Sequence, residues 1–233
     1  MGLVEIASTI LSRAEQRVEL CAQNLSNSTT PGYKARSSFS AMIAPSVNES
    51  NSAAMPTTAG TDFTNGALQT TGNPFDLAIA GSGFFAVRDA AGTYYTRDGQ
   101  FSRNADGRLV TADGKALQAV SGDVVVGAGD MKVLADGTVL SDGEPSGRIA
   151  LQSFDDLGGL EPAGGNLFVS KTGEGWPASA QVRQGMLEAS NVSTAAEMIS
   201  MMIALRGAGT GQHVVQVYDD LMGRAVNAFT PQQ

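Results

Sequence analysis

The sequence predicts an α+β protein: N- and C-terminal helices form a coiled-coil-like domain, and a mostly antiparallel β domain is inserted between them. Three observations predict it. Apolar and small residues recur at heptad spacing near both ends, Asp-Gly pairs punctuate short apolar runs through the middle, and a polar stretch follows the first helix. On this reading residues 1–43 and 186–233 make one discontinuous helical domain. Residues 44–75 form an extended linker and 76–185 the β-rich domain.

The first element is a helix over roughly residues 3–28, a stretch free of internal Gly and Pro. Val4, Leu11, Val18 and Leu25 form one seven-residue row, and Ala7, Ala14 and Cys21 a smaller row beside it. Spacings of three and four that sum to seven place both rows on one helix stripe. A period of 3.5 favours a left-handed wrap around partner helices, and the small row lets a partner approach closely. That partner is either another subunit or the chain's own C-terminal helix. The helix ends at Ser28-Thr29-Thr30-Pro31-Gly32, where Pro and Gly stop propagation.

Residues 44–75 are rich in Ser, Asn, Thr and Pro and bury too little apolar surface to offset the entropy of ordering. They read as an extended linker or, equally, as a flexible loop.

From Asp76 to Arg183 the pattern turns to strands. Asp-Gly occurs at 98–99, 106–107, 113–114, 136–137 and 142–143, supplying the positive φ that tight hairpins require. Leu77-Ala78-Ile79 and Phe84-Phe85-Ala86-Val87 flank Gly81-Ser82-Gly83, where a strand bends or another backbone comes close. Further strands are expected at 93–96, 108–111, 124–126, 131–134, 148–154 and 167–170.

The last helix is expected from Ser193, as N-cap, to Phe229, with Glu197 complementing the dipole of its first turn. Its rows are Ile203, Thr210 and Val217, with Val214, Leu221 and Ala228 alongside, and Met198, Met201 and Met202 add an adaptable apolar surface. Gly207, Gly209 and Gly211 interrupt it. Each costs about 1 kcal/mol relative to Ala in a helix, so the stretch either breaks the helix or admits a close neighbour.

Composition narrows the function classes. Lys and Arg number 15 against 23 Asp and Glu, a formal charge of −8, which argues against nucleic acid and against an anionic membrane surface as partners. One cysteine excludes an intrachain disulfide. No apolar run approaches the roughly 20 residues of a membrane span. The N-terminus shows no cleavable leader, so the chain is expected to be cytoplasmic or exported by a route that cleaves none.

No enzymatic pattern emerges, and no catalytic residue, cofactor or metal is expected. Gly81-Ser82-Gly83 is followed by Ala86 and no helix, so it is a poor phosphate loop. His213 is the sole histidine, without a Cys/His cluster. Asn104-Ala105-Asp106-Gly107 lacks the acidic series of a calcium loop. Cys21 lies on an apolar stripe, where a small buried hydrophobe is the stronger reading.

Three segments together resemble the rod and hook group of bacterial flagellar axial proteins. The first is Gln23-Asn24-Leu25-Ser26-Asn27 through Gly32-Tyr33-Lys34. The second runs Phe75-Asp76-Leu77 through Gly81-Ser82-Gly83-Phe84-Phe85, continued by Tyr95-Thr96-Arg97-Asp98-Gly99-Gln100-Phe101. The third is Leu187-Glu188-Ala189-Ser190-Asn191-Val192. Ser26, Tyr33 and the glycines after Arg206 depart from the family's pattern. The resemblance implies a structural rod subunit with a single β insertion, its length and Thr30–Ala35 tilting it toward the proximal-rod over the distal-rod type. It also implies export through the flagellar type III apparatus without a cleaved signal peptide. Assembly with other rod subunits and with copies of itself would follow, in the periplasmic basal body, as a helical shaft that transmits torque. The rival from another class is a monomeric secreted binding module whose two helices merely pair.

Overall fold

The computed structural model describes residues 3–39 and 58–229. It contains two long helices and a large, mostly antiparallel β region, divided into two compact units. The helical unit holds the chain through Ser26, the strand Arg36–Phe39 and everything described from Val192 onward; the β unit holds Asn27–Ala35 and Gly60–Asn191.

In the helical unit, α1 spans Leu3–Ser26 and α2 spans Thr194–Phe229. Ser193 precedes α2 as expected, its carbonyl accepting from Glu197 N at 2.9 Å. The helices run antiparallel: Gly211 lies against Ala7 and Ile10, while Glu197 bonds Asn24 at the other end. The small row of α1 is the inward one, with Ala7, Ala14 and Cys21 at 1%, 8% and 5% exposure. Leu11, Val18 and Leu25 are half-buried beside it, and Val4's side chain lies outside the described residues.

On α2 the inward row is displaced by one position from the expected one. Ala204 and Gly211 are buried, in register with Glu197, whereas Ile203, Val217 and Leu221 are 56%, 44% and 59% exposed. Val214 is half-buried. Small side chains win the seam because two backbones approach closely only where no bulky group separates them. The glycines do not break α2, which is helical throughout 207–211. A methyl on Gly211 would sit 3.5 Å from Ile10 Cγ2, in ordinary contact, and one on Gly207 or Gly209 would meet nothing within 4 Å.

The β unit is organised on the strand Phe84–Arg88, whose residues alternate between two cores. Phe85 and Val87 join Leu77, Leu109, Leu117 and Val139 in the larger core. Phe84 and Ala86 join Tyr95, Leu160 and Phe168 in the smaller. In sheet order the strands run Leu160–Gly164, Leu167–Ser170, Thr93–Thr96, Phe84–Arg88, Ala116–Ala119, Leu109–Val110 and Ser102–Arg103. A separate three-stranded sheet is formed by Met131–Val133, Thr138–Ser141 and Glu144–Arg148. Its second hairpin turns on Asp142 and Gly143, both with positive φ, 54° and 86°, as a two-residue hairpin loop requires.

Three expectations change. Asp98-Gly99 is not a hairpin turn. The Gly99 carbonyl accepts from Leu77 N at 3.0 Å, and a methyl on Gly99 would fall 1.6 Å from Leu77 O, so the glycine permits a close backbone crossing. The expected linker 44–75 lies partly outside the described residues. From Gly60 it belongs to the β unit, with Leu68–Thr70 paired to Met186–Glu188. Met186–Asn191, assigned above to the helical domain, is in the β unit: Met186–Glu188 pairs in that ladder, Ala189 N donates to Ala67 O and Asn191 N to Tyr33 O.

Gly209→Ala is expected to stabilise α2 by about 1 kcal/mol, since the methyl meets open space and removes a helix penalty; Gly211→Leu is expected to destabilise the helix pair. Thermal unfolding followed at 222 nm should move the two variants in opposite directions.

Candidate functional site

Two constructions stand out, one in each unit. In the β unit the three sequence blocks converge on the carboxylate of Glu188, which is 1% exposed. Its Oε1 accepts from Lys34 Nζ at 2.6 Å and from Gly66 N at 2.8 Å, and its Oε2 accepts from Arg97 Nη1 at 3.0 Å. The Glu188 backbone carbonyl accepts from Gly32 N at 2.7 Å. Lys34 also donates to Thr64 O at 2.7 Å, and Arg97 to Gly81 O at 2.8 Å. The Arg97 guanidinium lies 5.4 Å from the centre of the Phe84 ring. Burial pulls both cations below their ordinary pKa, and the Glu188 charge pulls them back up.

Gly32 is fitted to this knot. Its φ is +68°, and a Cβ would lie 2.3 Å from Asp98 N, so no other residue allows the chain to pass there. Beside it, Asn191 Oδ1 accepts from Ala35 N at 2.7 Å, while its Nδ2 donates to Asp62 O at 2.8 Å. Tyr33 is buried, and its carbonyl accepts from Asn191 N. Asp76 receives Thr71 Oγ1 at 2.7 Å and Asn73 Nδ2 at 2.9 Å. Thr96 Oγ1 donates to Asn166 O at 2.8 Å. Gly83 lies against Ala178, Phe85 and Leu187 are buried, and Ser190 is half-buried. Asn27 receives Thr30 Oγ1 in the turn after α1.

In the helical unit Asn24, 1% exposed, locks a second joint. Its Nδ2 donates to Arg36 O at 2.7 Å and to Glu197 Oε1 at 2.9 Å, and its Oδ1 accepts from Arg36 N at 2.9 Å. Val192 is half-buried at the approach to α2. The Cys21 thiol is pushed up to about 11 by burial and by its hydrogen bond to Glu197. The first turns of α2 leave Met198, Ile199, Met202, Ile203 and Leu205 each more than half exposed.

The structure therefore separates the predicted residues into two kinds. The three sequence blocks hold the fold together internally, and the α2 row expected to meet partners is the exposed one. Lys34, Gly66, Arg36 and the Ala204–Gly211 row escaped the sequence reading as site residues. The seven-residue series Glu197, Ala204, Gly211 and Tyr218 was visible, but its small members gave it no apolar weight. Among the described residues no cluster of potential metal ligands occurs, and no helix is long and apolar enough to cross a membrane.

Residues 78–141 match the family model of the flagellar hook protein FlgE/F/G D1 domain, and 183–228 that of the flagellar basal body rod FlgEFG protein C-terminal region. The chain is 34% identical over 198 residues to the flagellar basal-body rod protein FlgF of Caulobacter vibrioides, covering 80% of this chain and 81% of that one. It is 32% identical over 254 residues to FlgG of Borreliella burgdorferi, covering 95% and 96%. The chain belongs to the flagellar basal-body rod protein family. FlgG of Agrobacterium fabrum is similar too, at 30% identity over 95% of this chain and 97% of its own length. Relatives of both the FlgF and the FlgG type match at similar identity, so membership is common ground to both. The chain is a structural rod subunit, not an enzyme. Gly81, Gly83, Phe84, Phe85, Thr96, Arg97 and Gly99 lie in the first matched region, and Leu187 to Val192 in the second.

Glu188→Ala leaves two buried cations without their carboxylate, and is expected to cost about 3–5 kcal/mol in denaturant unfolding. Because the folded thiol of Cys21 titrates above its ordinary value of 9.0, its contribution to stability is complete below that value and is lost as pH rises toward 11. A thiol reagent at pH 8 should leave Cys21 unlabelled until the chain is unfolded.

Proposed function

We propose that this rod subunit joins copies of itself and other rod proteins through its terminal helices, which form coiled-coil-like bundles between subunits. The observation that carries this reading is the apolar surface of α2, where Met198, Met202, Ile203, Val217 and Leu221 are all exposed although the inward row is already filled by small residues. Each such side chain is about half exposed and gains on the order of 1 kcal/mol when a neighbour covers the rest. On α1 the half-buried Leu11, Val18 and Leu25 continue the same kind of surface.

Contacts that repeat without closing build a helical shaft, and such a shaft would carry torque through packed helices. On this reading the chain travels through the flagellar type III apparatus without a cleaved signal peptide and assembles in the periplasmic part of the basal body. The residues named for helix packing, Val4, Ala7, Leu11, Ala14, Val18, Cys21, Leu25, Met198, Met202, Ile203, Val214, Val217 and Leu221, then divide by role. Ala7, Ala14 and Cys21 close the pair within a subunit, and the exposed members of α2 meet neighbours.

Met198→Glu combined with Met202→Glu is expected to abolish incorporation into isolated basal bodies while leaving the purified monomer's helical signal intact. Normal incorporation of this variant would overturn the reading, as would normal rods from a chain lacking residues 1–28.

A further inference from the structure

A cleft of about 160 Å³ opens in the helical unit between α1, the strand Arg36–Phe39 and the start of α2. Arg17, Leu20, Cys21, Arg36, Ser37, Glu197 and Ser200 line it. Its charge is unbalanced. Glu197 is the lining carboxylate, and it is engaged by Asn24 and by the Cys21 thiol. Neither Arg17 nor Arg36 makes an ion pair among the described residues. Among the described residues the Arg36 guanidinium reaches only Gln23 Oε1, at 3.4 Å through Nη1, and its buried Nε has no partner. A buried donor without a partner is destabilising until something accepts from it. Two guanidinium forks at one small polar cleft are the chemistry that holds a carboxylate.

Resting on the rod reading above, we propose that this cleft is a socket for the carboxylates of Asp219 and Asp220 on the next copy of the chain. Those two residues are adjacent and exposed on α2, and neither is in an ion pair among the described residues. At the helical rise they stand about 33 Å from Glu197, so they cannot reach the cleft of their own chain. The helical unit therefore carries a cationic socket near one end of α2 and an acidic pair toward the other. Copies stacked head to tail bring unlike ends together, and each added copy presents a fresh socket, the arrangement of a contact that does not close. The apolar surface of α2 supplies affinity without register, because a hydrophobic stripe slides; a charged plug in a socket fixes the axial offset.

The test uses the full-length chain with Cys21→Ala, carrying Ser200→Cys and Asp219→Cys, which keeps both arginines and Asp220. Basal bodies isolated from cells making it and mildly oxidised are expected to yield a ladder of dimers and higher multimers on non-reducing gels. In parallel, Arg17→Glu with Arg36→Glu is expected to lower incorporation at least about tenfold, and adding Asp219→Arg with Asp220→Arg to restore it. Monomer melting curves serve to exclude a folding defect. Incorporation without any ladder overturns the socket, as does normal incorporation of the double arginine variant. Loss that the reciprocal change does not restore overturns the assigned occupant and with it the proposal. If the unsubstituted chain is itself absent from basal bodies, the rod reading fails first, a result separable from all of these.

Discussion

The β unit depends on one carboxylate. Glu188 is fixed by a lysine from the segment that follows α1, a backbone amide from Gly66 and an arginine just beyond the strand Thr93–Thr96. Taking three charges out of water is costly, and the arrangement survives because each charged group finds a short, directed partner. Lys34 and Arg97 also donate to the carbonyls of Thr64 and Gly81, while Arg97 Nε is buried without a partner among the described residues. Segments far apart in sequence are thereby held by bonds that permit only one register. An apolar cluster of the same size would tolerate sliding.

Much of this was readable in the sequence, but unevenly. The helices announced themselves by period and by their stops, and α1 ends at Ser26, two residues before the expected limit. The Asp142-Gly143 hairpin followed from backbone sterics, which are local. Asp98-Gly99 carries the same dipeptide and is no hairpin turn, because a long-range neighbour, Leu77, decides its use. The segment after Gly60 was underestimated for a related reason. Its order comes from main-chain pairing with Met186–Glu188 and from a glycine tucked against Ala189, neither of which side-chain composition displays. Lys34 closes the first sequence block, and only the fold shows it buried.

The helical unit shows a division of labour between small and large side chains. Ala7, Ala14 and Cys21 on one helix and Ala204 and Gly211 on the other close the seam, so the bulky residues are displaced to its flanks. A seam of large residues would have consumed the apolar surface within one chain. By pairing through small ones, the unit keeps Met198, Met202 and Ile203 outward. Of the glycines that interrupt the heptad pattern, Gly211 lies in this seam while Gly207 and Gly209 face open space, and the helix runs through all three.

The position of Gly32 and Asn191 has a mechanical meaning. The chain's first passage through the β unit, Asn27–Ala35, lies beside the point where it finally leaves, joined by Gly32 to Glu188 and by Ala35 to Asn191. A pull applied to the two ends of this unit is borne by those few bonds and by the ion pair behind them. The sheet beyond them is shunted out of the load path. Strands distant from the joint, such as Met131–Val133 and Glu144–Arg148, can then lengthen, shorten or change their surface without altering the stiffness between the chain's entry and exit.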